Sequence, residues 1–202
     1  MESFKIFLGG INSSGKTSLL DALVFNNCGV DVCYGSKEFI NWLGLKQGDY
    51  ESLEQLQDDY KNQELSKMVQ FLINQINNNI NHDKWIFSGH LGRIKETNIV
   101  SAIGNWISNF NLIVLLTAEP EILINRIKHD FAFGIRKRDK LMELIDLSKD
   151  PIEIFSEFVK QTEKIAEQIA SIYEIPLLKL NSSEFDPSQL SIKLLNYIRI
   201  SE

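Results

Sequence analysis

Eight residues near the start of the chain limit its fold more than any other stretch: Gly10-Ile11-Asn12-Ser13-Ser14-Gly15-Lys16-Thr17. They fit the pattern G-x-x-x-x-G-K-[ST], a phosphate-binding loop. Such a loop must turn backbone N–H groups inward around an anion, and glycine freedom at Gly10 and Gly15 allows it. The apolar run Phe4-Lys5-Ile6-Phe7-Leu8 precedes the loop as a strand, and Ser18 to Phe25 continues it as a helix. The helix adds the positive end of its dipole. Lys16 then reaches the β/γ-phosphates, and the Thr17 hydroxyl is placed to ligate Mg²⁺. The loop residues Gly10, Asn12, Ser13, Ser14, Gly15, Lys16, Thr17 and Ser18 are therefore candidate contacts for a nucleoside triphosphate, ATP in the first instance.

The rest of the chain alternates in the same manner. Val30 to Tyr34, Trp85 to Phe87, Leu112 to Thr117 and Pro176 to Leu180 read as further strands. Runs this short and apolar suit a sheet buried on both faces. Between them, Leu53, Leu56, Tyr60 and Leu65 through Ile76 read as one helical stripe. Ile154, Phe155, Phe158, Ile165, Ile169 and Ile172 read as another. This alternation predicts an α/β fold with a five-stranded parallel sheet. The Asn-rich stretch Asn74 to Asn81 reads as a helix end and loop. No linker divides the 202 residues, which predicts one domain over 1–202.

Acidic residues outnumber basic ones, 27 to 21, so no general basic surface for nucleic acid is expected. The start of the chain does not resemble a signal peptide, and no window suits a membrane span. Cys28 and Cys33 lack disulfide-framework or redox spacing, and with His82 or His90 they lack zinc spacing. Two small residues in a reducing compartment are expected, hence a cytoplasmic protein. Homo-oligomer formation stays open.

An acidic protein that handles phosphates must concentrate its positive charge. Only five of the 21 basic residues are arginine: Arg93, Arg126, Arg136, Arg138 and Arg199. Where arginine replaces the usual lysine, a planar multidentate donor has a purpose. Loops after the strands of a parallel sheet share the face where the phosphate loop opens. Arg93, Arg126, Arg136 and Arg138 can thus converge there. Surface pairing of Arg136 and Arg138 with Asp130 and Asp139 is the plainer alternative, and Arg199 reads as a surface residue. No Asn-Lys-x-Asp signal of a GTPase follows the fourth strand, where Ala118-Glu119-Pro120-Glu121 stands. The third strand ends Phe87-Ser88-Gly89-His90 rather than in the Asp-Glu of an ATPase motor.

With these residues in view, the chain resembles the nucleoside monophosphate kinases, archaeal-type adenylate kinases most closely. Tyr34-Gly35-Ser36 is similar to the start of that family's monophosphate-binding region. Ser88-Gly89-His90 stands at its Asp-x-His segment, Glu119 to Arg126 resembles the helix leading to its lid, and Arg136-Lys137-Arg138-Asp139 its lid arginines. Gln161 and Asn181 fall near positions that precede and flank its adenine site. The resemblance implies a three-layer αβα sandwich with sheet order 2-3-1-4-5. It also implies an acceptor-binding region near 35–82, a lid near 127–140, Mg²⁺, and transfer of the ATP γ-phosphate to a nucleoside monophosphate. In that scheme Lys16, Arg126, Arg136 and Arg138 are catalytic. Tyr34, Gly35, Ser36, His90 and Arg93 bind the acceptor, Asn181 the nucleotide, and Thr17 and Ser88 the metal.

Three departures stand out. Ser88 replaces an acidic residue. The stretch Lys46 to Glu54 lacks the acceptor-gripping arginine. Phe131-Ala132-Phe133-Gly134 lengthens the lid. Two other readings stay open. One is a kinase for a small-molecule hydroxyl, with Asp31 or Asp49 as the carboxylate base. The other is a nucleotide-binding regulatory protein with little catalysis.

Overall fold

The computed structural model describes residues 3–26, 28–78, 83–95, 98–135 and 139–201. Arg136 and Arg138 lie outside them, as does His82. The predicted first strand is β1 (Phe4–Gly9), and the helix after the phosphate loop is α1 (Lys16–Phe25). Four further strands join β1 in parallel: β2 (Asp31–Tyr34), β3 (Lys84–Ser88), β6 (Leu112–Thr117) and β7 (Leu177–Asn181). Their order across the sheet is β2-β3-β1-β6-β7. This is the expected 2-3-1-4-5 once a separate antiparallel hairpin, β4 (Gly92–Lys95) with β5 (Asn98–Ser101), is passed over.

The period-two alternation of β1 decides what each face of the sheet buries. Phe7 points to one side, where Trp85, Phe87, Trp106 and Phe110 form an aromatic cluster with neighbouring ring centroids 5.5 to 6.3 Å apart. Helices α2 (Gly35–Trp42), α4 (Asp58–Asn78) and α7 (Pro151–Tyr173) cover it, through Phe39, Met68, Val69, Ala166 and Ile169. Ile6 and Leu8 point to the other side, against Leu19, Leu20 and Leu23 of α1 and Leu190, Leu194 and Ile198 of α8 (Pro187–Ser201). Each such buried side chain contributes about 1.5–3 kcal/mol of transfer free energy. The result is the expected three-layer αβα arrangement. A third apolar cluster joins α7 to α5 (Pro120–Ala132) and α6 (Asp139–Leu147), through Leu123, Ile127, Leu141, Phe155 and Phe158.

Two expectations about the helices are corrected. The stripe from Leu53 to Ile76 is two helices, α3 (Tyr50–Gln55) and α4, because Leu56 is extended at ψ 146° and the chain restarts at Asp58. Tyr60 is exposed rather than buried. On α7 the buried stripe ends at Ile169, and Ile172 is 72% exposed. The fifth strand also begins one residue later than expected, since the Pro176 carbonyl only accepts from Ile113. No helix among the described residues is long and apolar enough to cross a membrane. Cys33 is buried, and desolvation with the nearby Glu38 charge pushes its thiol up to about 12. It is therefore an inert core thiol.

Candidate functional site

All five parallel strands end on the same side of the sheet, so the loops that follow them share one face. A cleft of about 1930 Å³ opens there. Of the described residues expected to contact nucleotide, acceptor or metal, all but Gly10 and Asn181 line it, whereas Asp31, Asp49 and Gln161 do not; the Gln161 side-chain oxygen accepts from the Ile99 N–H at 2.7 Å. Gly10 stands just behind the wall. A Cβ at Gly10 would run into the Leu116 carbonyl oxygen, and its φ is +154°, so β1 can turn into the loop only with glycine there. Gly15 closes the loop in the left-handed region, φ +94°, as N-cap of α1.

Within the loop, the Lys16 ammonium lies over backbone oxygens, donating to Gly10 O at 3.0 Å and Ile11 O at 2.8 Å. It also reaches Ser14 Oγ at 3.4 Å. A cation held by carbonyls in the mouth of an anion-binding loop needs little movement to meet phosphate. Thr17 and Ser18 occupy the first turn of α1 beside it.

Arg126 projects from α5 to the same loop and lines the cleft beside it. One guanidinium nitrogen, Nη1, donates to Ser13 O at 3.2 Å and Ser182 Oγ at 2.9 Å, and Nη2 donates to Ser182 O at 3.0 Å. Burial pulls its pKa below the usual guanidinium value. Ser182 is itself buried, its N–H donating to Thr117 O at 2.9 Å. Sequence reasoning passed over Ser182. The signal that could have found it is its place directly after the fifth strand, where ligand-binding loops gather. Asn181 is corrected: its amide donates to Glu184 and its oxygen accepts from the Ser183 N–H, so the side chain shapes the turn and does not line the cleft.

The other half of the cleft is walled by α2, α4 and the hairpin. Tyr34 donates its hydroxyl to Asp21 on α1 at 2.6 Å, and burial together with that carboxylate raises the phenol to about 12. The Lys37 ammonium sits 4.4 Å from the centre of its ring. Gly35 and Ser36 begin α2 here. Ser88, at the end of β3, donates to Cys33 O at 3.3 Å, which leaves its oxygen lone pairs available. His90 follows it into the cleft.

Arg93 is on β4, not beside the phosphate loop. Its Nη1 is 3.5 Å from Asp58 Oδ1, the same oxygen that Lys61 Nζ approaches at 2.9 Å. The Lys61 side chain is only 11% exposed. Burial lowers the Arg93 pKa, and the Asp58 charge opposes the shift. Thus the expected convergence of four arginines divides: Arg126 is at the loop, Arg93 is across the cleft, and Arg136 and Arg138 lie outside the described residues. Lys61 and Asp58 were not foreseen, because nothing local in the sequence marks them.

Do these groups suit a triphosphate and its metal? The loop presents positive-φ glycines at Gly10 and Gly15, two cationic side chains, and a buried Ser13 hydroxyl without a hydrogen-bond partner. That donor set fits a polyphosphate. Among the described residues no group of three or more His, Cys, Asp or Glu is arranged to hold a metal ion. Mg²⁺ in such sites takes its ligands from substrate phosphates and waters with one or two carboxylates, and the expected pair here, Thr17 and Ser88, lines the cleft with hydroxyl oxygens.

Comparison with known proteins agrees with the architecture. A family model described as an AAA domain matches residues 6–145, and the chain belongs to that family. A candidate kinase from Chloroflexus aurantiacus J-10-fl matches with a TM-score of 0.53 at 13% identity, over 100% of this chain and 98% of that one. Shikimate kinase from Bacteroides thetaiotaomicron matches with a TM-score of 0.57 at 14% identity, over 97% of this chain and 98% of that one. At these identities the likeness carries the fold alone. A comparison with curated proteins gives no match.

Proposed function

We propose that this AAA-family chain is an ATP-dependent phosphotransferase whose acceptor is a small anionic molecule, a nucleoside monophosphate in the first instance. One observation carries the reading: a guanidinium, that of Arg126, is clamped against the phosphate loop that holds Lys16. Phosphoryl transfer asks a protein mainly to position the reactants and neutralise charge. In this scheme Lys16 meets the β/γ-phosphates, and Arg126 neutralises charge from the α5 side. The sequence assigns Arg136 and Arg138 to the transferring group. Thr17 would hold Mg²⁺, with Ser88 assisting through its lone pairs. The ion, when bound, supplies charge neutralisation on the phosphate oxygens.

On the acceptor side, Tyr34, Gly35, Ser36, His90 and Arg93 form the wall. Lys61 joins Arg93 as a second cation, in place of the arginine absent from 46–54. A phosphate acceptor is already an anionic nucleophile and needs no general base. A hydroxyl acceptor is the second reading, favoured by the fold shared with shikimate kinase. Its two sequence-level base candidates do not support it. The Asp49 carboxylate is engaged in capping α3, accepting from Ser52 N and Oγ at 3.0 and 2.8 Å. Asp31 opens β2 at the end of the strand remote from the cleft.

The test is turnover of Mg-ATP with AMP, CMP, UMP, GMP and shikimate, each followed by product chromatography. The expected outcome is a nucleoside diphosphate made from at least one monophosphate. Turnover with shikimate alone would establish the hydroxyl reading. Tight ATP binding with no product from any acceptor would identify a nucleotide-binding regulator.

A further inference from the structure

Asp58, Lys61, Asn62 and Leu65 stand at positions i, i+3, i+4 and i+7 of α4, so one face of the helix carries all four, and all four line the cleft. Arg93 reaches the same place from β4. One oxygen joins the charged members of this group. Asp58 Oδ1 accepts from Arg93 Nη1 at 3.5 Å and lies 2.9 Å from Lys61 Nζ. The three side chains are not equally placed. Lys61 is 11% exposed and Arg93 30%, whereas Asp58 is 55% exposed. The two cations are set into the wall, and the carboxylate is the partner open to solvent.

Arginine and lysine use the same donors for a carboxylate oxygen as for a phosphate oxygen. A carboxylate oxygen shared by two cations in a cleft therefore marks a place that an acceptor's anionic group can take. The two anions cannot share it, because like charges so close repel. Contacts between charges this exposed are weak, each worth a factor of about 1.4 to 5. An incoming phosphate can thus displace the carboxylate by rotation about its side-chain bonds, with α4 unmoved. We infer that Asp58 is a built-in counterion: it holds the place of the acceptor's anion in the empty cleft, is displaced by it, and so sets how tightly the acceptor binds. Such competition lowers the apparent affinity for an anion according to the fraction of molecules in which the cations are released. A bare anion meets that cost alone, whereas an acceptor that also touches the wall at Tyr34 and Gly35 offsets it. The cation pair is thereby kept from small anions and opened to a substrate with a body. The inference rests on the acceptor-side reading above and adds to it the residue that tunes acceptor affinity.

Asp58→Asn keeps the size of the side chain and removes its charge. Lys61→Gln, added to it, removes a cation. Binding of inorganic phosphate is measured by calorimetry in the presence of Mg-ADP for the wild type, Asp58→Asn and the double variant. Melting curves, and kcat and KM for whichever monophosphate is turned over, accompany it. With two weak contacts released, Asp58→Asn should bind phosphate about 2- to 25-fold tighter than the wild type. Its acceptor KM should fall by a similar factor with kcat little changed, and the double variant should lose the gain. An ion pair that merely starts α4 gives a different result: Asp58→Asn melts lower and binds phosphate no tighter. That outcome overturns the inference, as does a gain that survives Lys61→Gln, or phosphate bound by neither the wild type nor Asp58→Asn. Absence of turnover with every acceptor would remove the transferase reading, and the phosphate comparison would still decide the role of Asp58.

Discussion

Lys16→Ala will lower phosphoryl transfer by about 10²–10³-fold, the usual loss when one preorganised charge is removed from a transferring group. Weaker ATP binding will accompany it. The fold will survive, because the ammonium's contacts with Gly10 O, Ile11 O and Ser14 Oγ are polar ones at the loop, while the three layers are held by the apolar clusters. Steady-state kinetics together with a melting curve check this. A variant with wild-type turnover would move the chemistry away from the loop.

Arg126→Ala carries the second largest effect. It severs three hydrogen bonds that link α5, the loop and the turn after β7. The Ser182 hydroxyl, in a buried residue, is left without its donor. A hydrogen bond involving a charged group is worth about 1.5–3 kcal/mol, so kcat/KM for ATP should fall by roughly 10- to 100-fold for one such contact made to the nucleotide. Arg126→Lys should not restore activity. A lysine places one point charge where the guanidinium fork spans Ser13 and Ser182 together. Full activity in Arg126→Lys would show that charge alone matters and that the clamp is incidental.

Much of the architecture could be read directly from local pattern. β6 runs from Leu112 to Thr117, as its apolar run states, because a strand buried on both faces has no reason to alternate. The phosphate loop was legible because its glycines, lysine and threonine act through fixed spacing. Features set by tertiary contact were not legible. The β4–β5 hairpin is made of two four-residue strands, and β5 is largely exposed, so neither carries an apolar run. The break at Leu56 hides inside spacing that continues a helical stripe through Leu53 and Tyr60. In the site, Arg126 was identifiable as a scarce arginine on the helix after the fourth strand. Its partners were not: Ser13 is 113 residues away and Ser182 is 56. Arg93 was recognised as a candidate, yet its coupling to Asp58 depends on α4 lying across the cleft. Asn181 was selected by resemblance, whereas Ser182, the first residue after β7, makes the contact with Arg126.

The central claim is that the loop from Gly10 to Thr17 delivers the γ-phosphoryl group of ATP to a small anionic acceptor in the cleft. The most direct measurement follows the label of [γ-³²P]ATP with Mg²⁺ and the purified chain, with and without AMP and the other nucleoside monophosphates. The account predicts label in a nucleoside diphosphate, dependent on acceptor and reduced by at least about 10²-fold in Lys16→Ala. Label that stays in ATP with every acceptor, or reaches product equally well in Lys16→Ala, would contradict it.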